Sequence, residues 1–596
     1  MASVARSARR RRQLEDWKAI PWRCIQRDVF RLQQRIYQAE SRGKYKQVHN
    51  LQRLLLRSWS ARCLAVRQVS QDNRGKRTPG VDGVANLTPK QRLALIEELR
   101  DVSSWQADAI RRAYIDKRGT TEKRGLGIPT MRDRAMQKLA VLVLEPEWEA
   151  KFEPNSYGFR PGRSAHDAIE AIFNHIRLKP KYVLDADIEK CFDRIDKSAL
   201  LEKLNAIQPI QRLVRCWLEA GILDGDQILF PEAGVPQGGV ASPLMCNVAL
   251  HGFETALTSV SKRYRIAVIR YADDLVALCE DLETLLKVKQ EAEIWLAEMG
   301  LRLKPSKTRV THTLDEFEGN VGFDFLGFNV RQYQVGRYRT RTHRGKPGFK
   351  TLIKPSKKGC QRHLQEMREV IRRHKGAPQA ALVKALNPKI RGWAQYYSAS
   401  VAKETFDWVD EQLFHKLYRW ACFRHPGKTG GWSVRRYWKR KGERLNFGDG
   451  KAWLAKYADI PIQRHVKVRG DKSPYDGDWP YWVQRLGRDP TKPTRVINLL
   501  KRQKNRCGLC GLYFAAEDVI EVHHWDGDRL NNRYTNLVLL HGHCHDEIHG
   551  RSINDNDSRT EEPDNGKLLR PVVCPAKAGV YSGRQSRRGR SQEPRS

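Results

Sequence analysis

The chain has 596 residues, too many for one hydrophobic core, which implies roughly three to five domains. Its 109 Lys and Arg outnumber 68 Asp and Glu for a formal net charge of +41, so the folded chain needs a polyanionic partner, and nucleic acid is the simplest. No run approaches the ~20 apolar residues of a membrane span and none reads as a signal-peptide core, while twelve scattered cysteines argue for a reducing compartment rather than a disulfide scaffold.

In chain order, the acid-free start from Met1 to Gln13 reads as a basic arm for RNA, with an organellar transit peptide as the alternative. Helical periodicity follows over residues 20–70 (Val29, Leu32, Ile36; Leu51, Leu54, Leu55) and stops at the turn-forming Thr78-Pro79-Gly80-Val81-Asp82-Gly83. Strands and helices mix over 105–180, with a Gly-rich hairpin between Tyr114 and Pro129. Residues 181–330 predict an α+β unit, a sheet with helices on one face. Gly300 is placed to end the helix of Trp295 to Met299. Residues 331–445 carry 29 Lys/Arg against 7 Asp/Glu. Among them stand Trp393, Tyr396, Tyr397, Trp408, Trp420, Trp432, Tyr437 and Trp438, a mixture suited to helix packing and to stacking on bases, with about a third of the rings expected near RNA. Residues 446–500, rich in Gly, Pro and Asp, read as a small irregular domain or linker, 501–552 as a compact module, and 553–596 as a disordered tail.

The chemistry concentrates in two places. Tyr271-Ala272-Asp273-Asp274 sits between two apolar runs, so two carboxylates fall at the turn of a buried hairpin and call for a cation. Asp187 ends a matching apolar strand that begins at Tyr182. Three such acids suit two Mg²⁺ ions acting on a primer hydroxyl and a pyrophosphate leaving group. Between them Pro236-Gln237-Gly238-Gly239 reads as a loop whose glycines permit close backbone approach to a bound group, with Gln237 as a candidate contact. Lys304 and Lys307 would meet template or primer phosphate, or else lie in a solvated loop. Near the end, Cys507-x-x-Cys510 and His541-x-x-Cys544 have the spacing of a structural zinc knuckle, with His543 as the alternative to His541. His523 and His524 lie between these pairs, and His545 and His549 share one helical face. A purely structural two-zinc domain is the alternative reading of these histidines.

Gly80-Val81-Asp82-Gly83, Leu126-Gly127-Ile128-Pro129, Ser156-Tyr157-Gly158-Phe159-Arg160, Asp187-Ile188-Glu189-Lys190-Cys191-Phe192-Asp193, Pro236-Gln237-Gly238-Gly239, Tyr271-Ala272-Asp273-Asp274 and Phe325-Leu326-Gly327-Phe328 occur in that order. With them, residues 14 to about 550 resemble a bacterial group II intron reverse transcriptase–maturase carrying a C-terminal HNH endonuclease. The resemblance implies an α+β multidomain right-hand polymerase. Residues 1–104 would form the N-terminal extension and start of the fingers, 105–354 the fingers and palm, and 355–445 the helical thumb, or maturase domain X. A DNA-binding segment (446–500) and a ββα-metal nuclease (501–552) would follow. Asp187, Asp273 and Asp274 would hold Mg²⁺, with Asp274 contributing less directly. Lys117 and Arg124 would clamp the triphosphate, although Gly125 stands where the family often has proline, and Phe192 would exclude a sugar 2′-hydroxyl, an ordinary core Phe being the alternative. In the nuclease, His524 would be the general base and Asn536 would orient the backbone or imidazole. His523, His545 and His549 would hold a single divalent ion, Mg²⁺ or Mn²⁺, while Cys507, Cys510, His541 and Cys544 hold structural Zn²⁺. The implied partners are intron RNA, target DNA and deoxynucleoside triphosphates, in a bacterial cytoplasm and on the nucleoid, rather than a membrane or an organelle. The alternatives are a splicing-only maturase and a stand-alone or defence reverse transcriptase.

Overall fold

A computed structural model describes residues 16–116, 123–335, 348–490, 492–515 and 518–552. The basic start, Lys117 and the tail from residue 553 lie outside the described residues. Met1–Gly550 is one compact unit and Arg551–Ser596 a second; the account below concerns the first. Among the described residues no helix is long and apolar enough to cross a membrane.

Helix α1 (Trp22–Glu40) buries Ile25, Val29, Gln33, Ile36 and Ala39, one face at helical spacing. Helix α2 (Tyr45–Arg57) buries Val48, Leu51, Gln52, Leu55 and Leu56. Leu54, which the periodicity placed inward, is 54% exposed because the stripe runs through 48, 51, 52, 55 and 56 instead. Helix α3 (Trp59–Arg67), capped by Ser58, is buried nearly all round. After strands β1 (Ile110–Asp116) and β2 (Lys123–Ile128), an antiparallel hairpin as predicted, comes the long helix α4 (Met131–Lys151). Gln33 donates to the Leu142 carbonyl (3.0 Å) and Gln52 to Glu147 (2.6 Å), so buried amides fasten the N-terminal helices to α4.

Helix α5 (Ala165–Ile176) precedes β3 (Tyr182–Asp187), and the short β4 (Ile222–Asp224) and β5 (Gln227–Leu229) follow. Next come β6 (Ala267–Tyr271), β7 (Asp274–Cys279), helix α6 (Leu282–Glu298), and β8 (Arg309–His312). Gly300, at φ +70°, follows α6 as the sequence implied. The strands form two sheets, ordered β2-β1-β4-β5 and β6-β7-β3-β8. The second sheet corrects the expectation of helices on one face. Leu184, Ala186, Leu275 and Ala277 belong to one core, whereas Val183, Ile269, Val276 and Leu278 belong to another that includes α5. Both faces are covered, which is why Leu275 to Leu278 is an unbroken apolar run instead of an alternation.

Strands β9 (Phe323–Phe325), β10 (Phe328–Gln334) and β11 (Phe349–Pro355) form a third sheet. Helices α7 (Lys357–Arg373), α8 (Gln379–Tyr397) and α9 (Lys403–Arg424) then make the predicted helical region. Of its eight interleaved rings only Trp408 is exposed, at 43%. The others are buried or half-buried, as where His363 stacks on Trp393 with centroids 4.8 Å apart.

Residues 446–500 are neither linker nor separate domain. After the hairpin of β12 (Trp438–Lys441) and β13 (Arg444–Phe447), Tyr457 and Val468 enter the second core with no exposed surface. The lock is Asp167, at the start of α5, fully buried and 298 to 318 residues away in sequence from the partners it holds in this segment. Its carboxylate accepts both Ser164 donors at 2.9 Å and the Val468 N–H at 2.8 Å. It also faces His465 Nε2 at 3.0 Å and Arg485 Nη2 at 2.6 and 2.7 Å, Arg485 lying on α10 (Trp479–Leu486). Helix α11 (Thr494–Arg502) leads into the last module, where β14 (Ile520–His524) pairs antiparallel with β15 (Leu537–His541) and runs on to α12 (Gly542–Ser552).

Burial alone would raise the Asp167 pKa, but the His465 and Arg485 partners outweigh it and hold it well below the ordinary carboxylate value. A depressed folded pKa contributes stability above the unfolded value and loses it as pH falls through the folded one. Asp167→Asn should therefore cost about 3–5 kcal/mol at neutral pH by leaving a buried guanidinium unpaired, and residues 465–485 should become protease-sensitive. Denaturant titrations should find the difference from the parent shrinking as pH drops below about 4; a constant difference across pH would refute the charged lock.

Candidate active site and metal centres

The β3–β7 register sets Asp187 directly opposite Asp274, and Tyr271 pairs with Asp274 across a two-residue turn made by Ala272 and Asp273. Ala272 takes φ +57° in that turn. Behind it lies Gly158, where a Cβ would fall 2.3 Å from the Ala272 nitrogen, so this position of the Ser156–Arg160 motif must be glycine. Tyr157 N–H donates to the Arg270 carbonyl (2.9 Å), and buried Arg270 donates to Ala272 O (3.3 Å) and Asn247 Oδ1 (3.2 Å). The turn is thus held from behind by backbone and guanidinium donors.

Burial and the neighbouring acids set the electrostatics. Asp274 is pushed up to about 7 by burial, then by Asp273 and Asp187. Asp273 is raised by burial and by Asp187, against the opposing charges of Arg124 and Lys307. Asp274, expected to be the less direct participant, is the acid facing Asp187. Lys307 is not directed to phosphate here, since its Nζ lies 2.6 Å from Asp187 Oδ2. Among the described residues the three carboxylates do not converge to within 4.8 Å, as the two C-terminal ligand groups do.

A cleft is lined by Arg112, Gly125, Phe192, Asp193, Pro236 and Gln237, and none of the three acids contributes to its wall. Phe192 is 8% exposed and meets Phe159 edge to face, with centroids 6.1 Å apart. Phe159, 49% exposed at φ +59°, was not singled out from sequence, although its ring extends that surface outward. Arg124 is exposed on β2, close enough to lower the Asp273 pKa. Gly125 leaves room for Arg112, whose Cδ would lie 3.2 Å from an added Cβ. The glycines of Pro236–Gly239 serve the protein itself. Gly238, at φ +119°, packs where a Cβ would meet the Gly127 oxygen at 2.5 Å, and the Gly127 N–H donates to the Gln237 carbonyl at 2.6 Å. Lys117 lies outside the described residues.

In the last module Cys507, Cys510, His541 and Cys544 are all buried, with ligand atoms within 4.8 Å of one another. His541 rather than His543 belongs to the group: its Nδ1 is 3.3 Å from Cys510 Sγ and its Nε2 3.2 Å from Asp518 Oδ2. His543 stacks parallel to it, ring centroids 5.1 Å apart. Three thiolates with one imidazole and an outer carboxylate are a donor set of tetrahedral zinc. His523, His545 and His549 form the second group, with His545 Nε2 3.1 Å from His549 Nε2 and His545 Nδ1 2.6 Å from Glu521 Oε2. Burial and the adjacent imidazoles lower the pKa values of His523 and His545, favouring the neutral form that binds metal. Asp518 and Glu521 were missed in the sequence, where isolated acids have no ligand spacing to reveal them. Asn536 organises backbone rather than an imidazole: it accepts from Asp526 N–H (3.0 Å) and donates to Asp526 Oδ1 (2.7 Å) and Asn531 O (2.9 Å). His524 Nε2 is buried without a hydrogen-bond partner among the described residues.

Comparison with known proteins adds three family matches: the N-terminal domain of reverse transcriptase over residues 17–99, reverse transcriptase (RNA-dependent DNA polymerase) over 115–330, and the group II intron maturase-specific domain over 360–438. Protein YkfC of Escherichia coli is 30% identical over 305 residues, 44% of this chain and 78% of YkfC. The group II intron-encoded protein LtrA of Lactococcus lactis is 32% identical over 197 residues, 32% of this chain and 33% of LtrA, so the match spans one third of that relative. Maturase-like protein 1 of Euglena gracilis is 26% identical over 433 residues, covering 71% of this chain and 86% of that protein.

The ligand geometry gives a direct expectation. The purified chain should retain tightly bound zinc, which Cys510→Ser should remove together with the protease resistance of residues 501–552, while His543→Ala should keep it. Elemental analysis of the three proteins decides the matter, and zinc loss on changing His543 alone would overturn the assignment of His541.

Proposed function

We propose that this chain, which belongs to the group II intron reverse transcriptase/maturase family, copies RNA into DNA at Asp187, Asp273 and Asp274, assists the folding of an intron RNA, and nicks DNA with its C-terminal module. The observation that carries the polymerase reading is the pairing of Asp187 with Asp274 at a turn braced by Gly158 and Arg270. Divalent cations, when bound, supply the positive charge that stabilises an attacking 3′-oxygen and a departing pyrophosphate. The acids would position that charge, and Asp274, with its pKa raised to about 7, would lose its proton to solvent when a cation is held there. Lys307 neutralises Asp187 and must release it for the carboxylate to act as a ligand.

Arg124, exposed and facing the acids, binds the triphosphate, and Lys117 is assigned the same role. Phe192 forms the floor under the sugar, where its buried ring leaves no volume for a 2′-hydroxyl. Gln237, tied through its carbonyl to Gly127, holds the edge of the cleft where the base pairs with template. The helices of 355–445 pack their rings inward and turn Lys and Arg outward, which suits phosphate contacts to a folded RNA and to the primer–template duplex.

For the nuclease the supporting observation is the separation of two ligand groups within about fifty residues, one cysteine-rich and buried, the other three imidazoles with His549 exposed. His523, His545 and His549 hold a divalent ion, and Asn536 fixes the loop between the strands. His524 takes the proton from water, a role that requires its ring to turn so that the buried Nε2 becomes accessible. A nick would furnish the 3′-hydroxyl that the carboxylate centre extends, which couples the two centres in target-primed synthesis and insertion of the intron into DNA.

Asp273→Asn should lower RNA-templated primer extension by about two or more orders of magnitude, because a metal-binding charge is lost with little change of shape, while RNA binding stays within about twofold. Full extension by that protein would remove the polymerase assignment. His524→Ala should abolish strand nicking yet keep both zinc and extension from a supplied primer; loss of zinc would make His524 a structural ligand.

A further inference from the structure

The loop between β14 and β15 carries Leu530, which at 87% exposure is the most exposed large apolar side chain among the described residues. Trp525 (52%) and Tyr534 (44%) stand at the two ends of the same loop. Exposed leucines at loose tips need no explanation, but this loop is tightly built. The Leu530 N–H donates to Asp528 Oδ1 at 2.8 Å, and its carbonyl accepts from Asn532 Nδ2 at 3.0 Å. Asp526 accepts from Asn531 and Asn536 at 2.6 and 2.7 Å. From α11, Arg495 donates to Asn532 Oδ1 (2.8 Å) and Arg502 to the Tyr534 carbonyl (2.5 Å). The backbone on both sides of Leu530 is therefore fixed by hydrogen bonds while its side chain stays in water.

The surroundings are cationic and adjoin the three-imidazole group. Arg529 and Arg533 flank Leu530, both exposed, and neither makes an ion pair or side-chain hydrogen bond with another described residue. Arg529 is near enough to His545 to depress its basicity, and Trp525 packs edge to face on His523 with centroids 5.5 Å apart. Two unpaired guanidinium groups on either side of an apolar point match two phosphate backbones with a hydrophobic gap between them. Duplex DNA offers that pattern when a base step is opened from the minor groove. A single strand fits less well: its bases are already unstacked and favour flat aromatic platforms over a branched aliphatic side chain. A protein partner would have to present two carboxylates astride an apolar pocket, whereas duplex DNA offers paired phosphates on either side of a base step throughout its length.

We infer that Leu530 is a wedge that enters a base step of duplex DNA beside the three-histidine centre, with Arg529 and Arg533 gripping the backbones on either side. The inference rests on the nuclease reading for its biological setting, but the wedge itself is a separate physical claim. Opening a step would also bend the strand toward His523, His545 and His549 and expose a phosphodiester that a straight duplex keeps against its stack.

The test uses the full-length chain and closed circular plasmid DNA. A wedge unwinds the helix, so plasmid relaxed by a metal-independent topoisomerase in the presence of protein, without added divalent ion, should show a shifted linking number after the protein is removed. Nicking of supercoiled plasmid with Mg²⁺ or Mn²⁺, zinc content and primer extension are measured on the same preparations. Leu530→Ala should abolish the linking-number shift and slow nicking by roughly tenfold, with zinc content and primer extension unchanged, and Leu530→Met should restore both. Arg529→Gln with Arg533→Gln should weaken plasmid binding and flatten its salt dependence. Equal linking-number shifts for the parent and Leu530→Ala proteins, or no shift with the parent, would overturn the wedge, including a case in which only single-stranded DNA or RNA is bound. A parent that unwinds plasmid without nicking it would sustain the wedge and remove the nuclease reading, whereas nicking without unwinding would do the reverse.

Discussion

Three carboxylates crowded at one end of a buried sheet repel one another, and much of the surrounding structure holds them there in spite of that repulsion. The strands cannot slide, because β3 and β7 are buried on both faces and a one-residue slip would exchange the contents of two cores. The turn cannot retreat, because Gly158 backs directly against Ala272 and the Arg270 guanidinium holds the Ala272 carbonyl. What the fold does not supply is enough positive charge. Lys307 satisfies Asp187, while Asp274 keeps a pKa near 7. A site so arranged would suit the cations proposed for it, since rigid framing of unsatisfied charge is what a preorganised catalytic centre requires.

The same economy of space governs the basic regions. A charge as high as this chain's would favour expansion if it were distributed through the interior. The helical region after residue 355 instead buries its rings in the core and leaves its cations outside. Residues 446–500 have too little regular structure to hold their own shape, and they are fixed by Asp167, a carboxylate from the polymerase sheet's covering helix. Any nucleic acid bound by this segment would therefore sit at a defined position relative to the carboxylate centre.

Sequence spacing made several features legible. Strand-turn-strand patterning placed Asp187, Asp273 and Asp274, and the paired Cys-x-x-Cys and His-x-x-Cys selected the four ligands that converge. In each case the relevant partners are close in sequence or share a strand period. Features built from distant single residues were not legible: Lys307 meets Asp187 across 120 positions, and Arg485 meets Asp167 across 318. Asp518 and Glu521 orient histidines, yet a lone acid near a histidine is too common to notice. The glycines of the Pro236 loop were recognisable as sites of close approach. Their partner, the Gly127 backbone, was not, since glycine records that something is near without recording what. The covering of both sheet faces was hidden for a related reason: an apolar run has no period to read.

The last module has little core of its own, and its attachment to the N-terminal helices makes up part of the difference. Arg67 of α3 meets Asp546 at 2.7 Å, Gln71 donates to the same carboxylate at 2.6 Å, and Gln26 of α1 donates to Asp518 at 2.9 Å. Asp518 also faces His541, and Asp546 directly follows the candidate ligand His545. Both attachment points are thus one bond or one residue away from imidazoles of the two candidate metal groups. Any rotation of α12 that repositions His545 must also move Asp546 against Arg67, a side chain only 5% exposed that is held within α3. The three-histidine geometry is consequently set by the N-terminal helices as well as by the module's own strands. Those helices are fastened through Gln33 and Gln52 to α4, which shares a core with the sheet that carries the acids, so ion pairs, hydrogen bonds and core packing together connect the two candidate reaction centres.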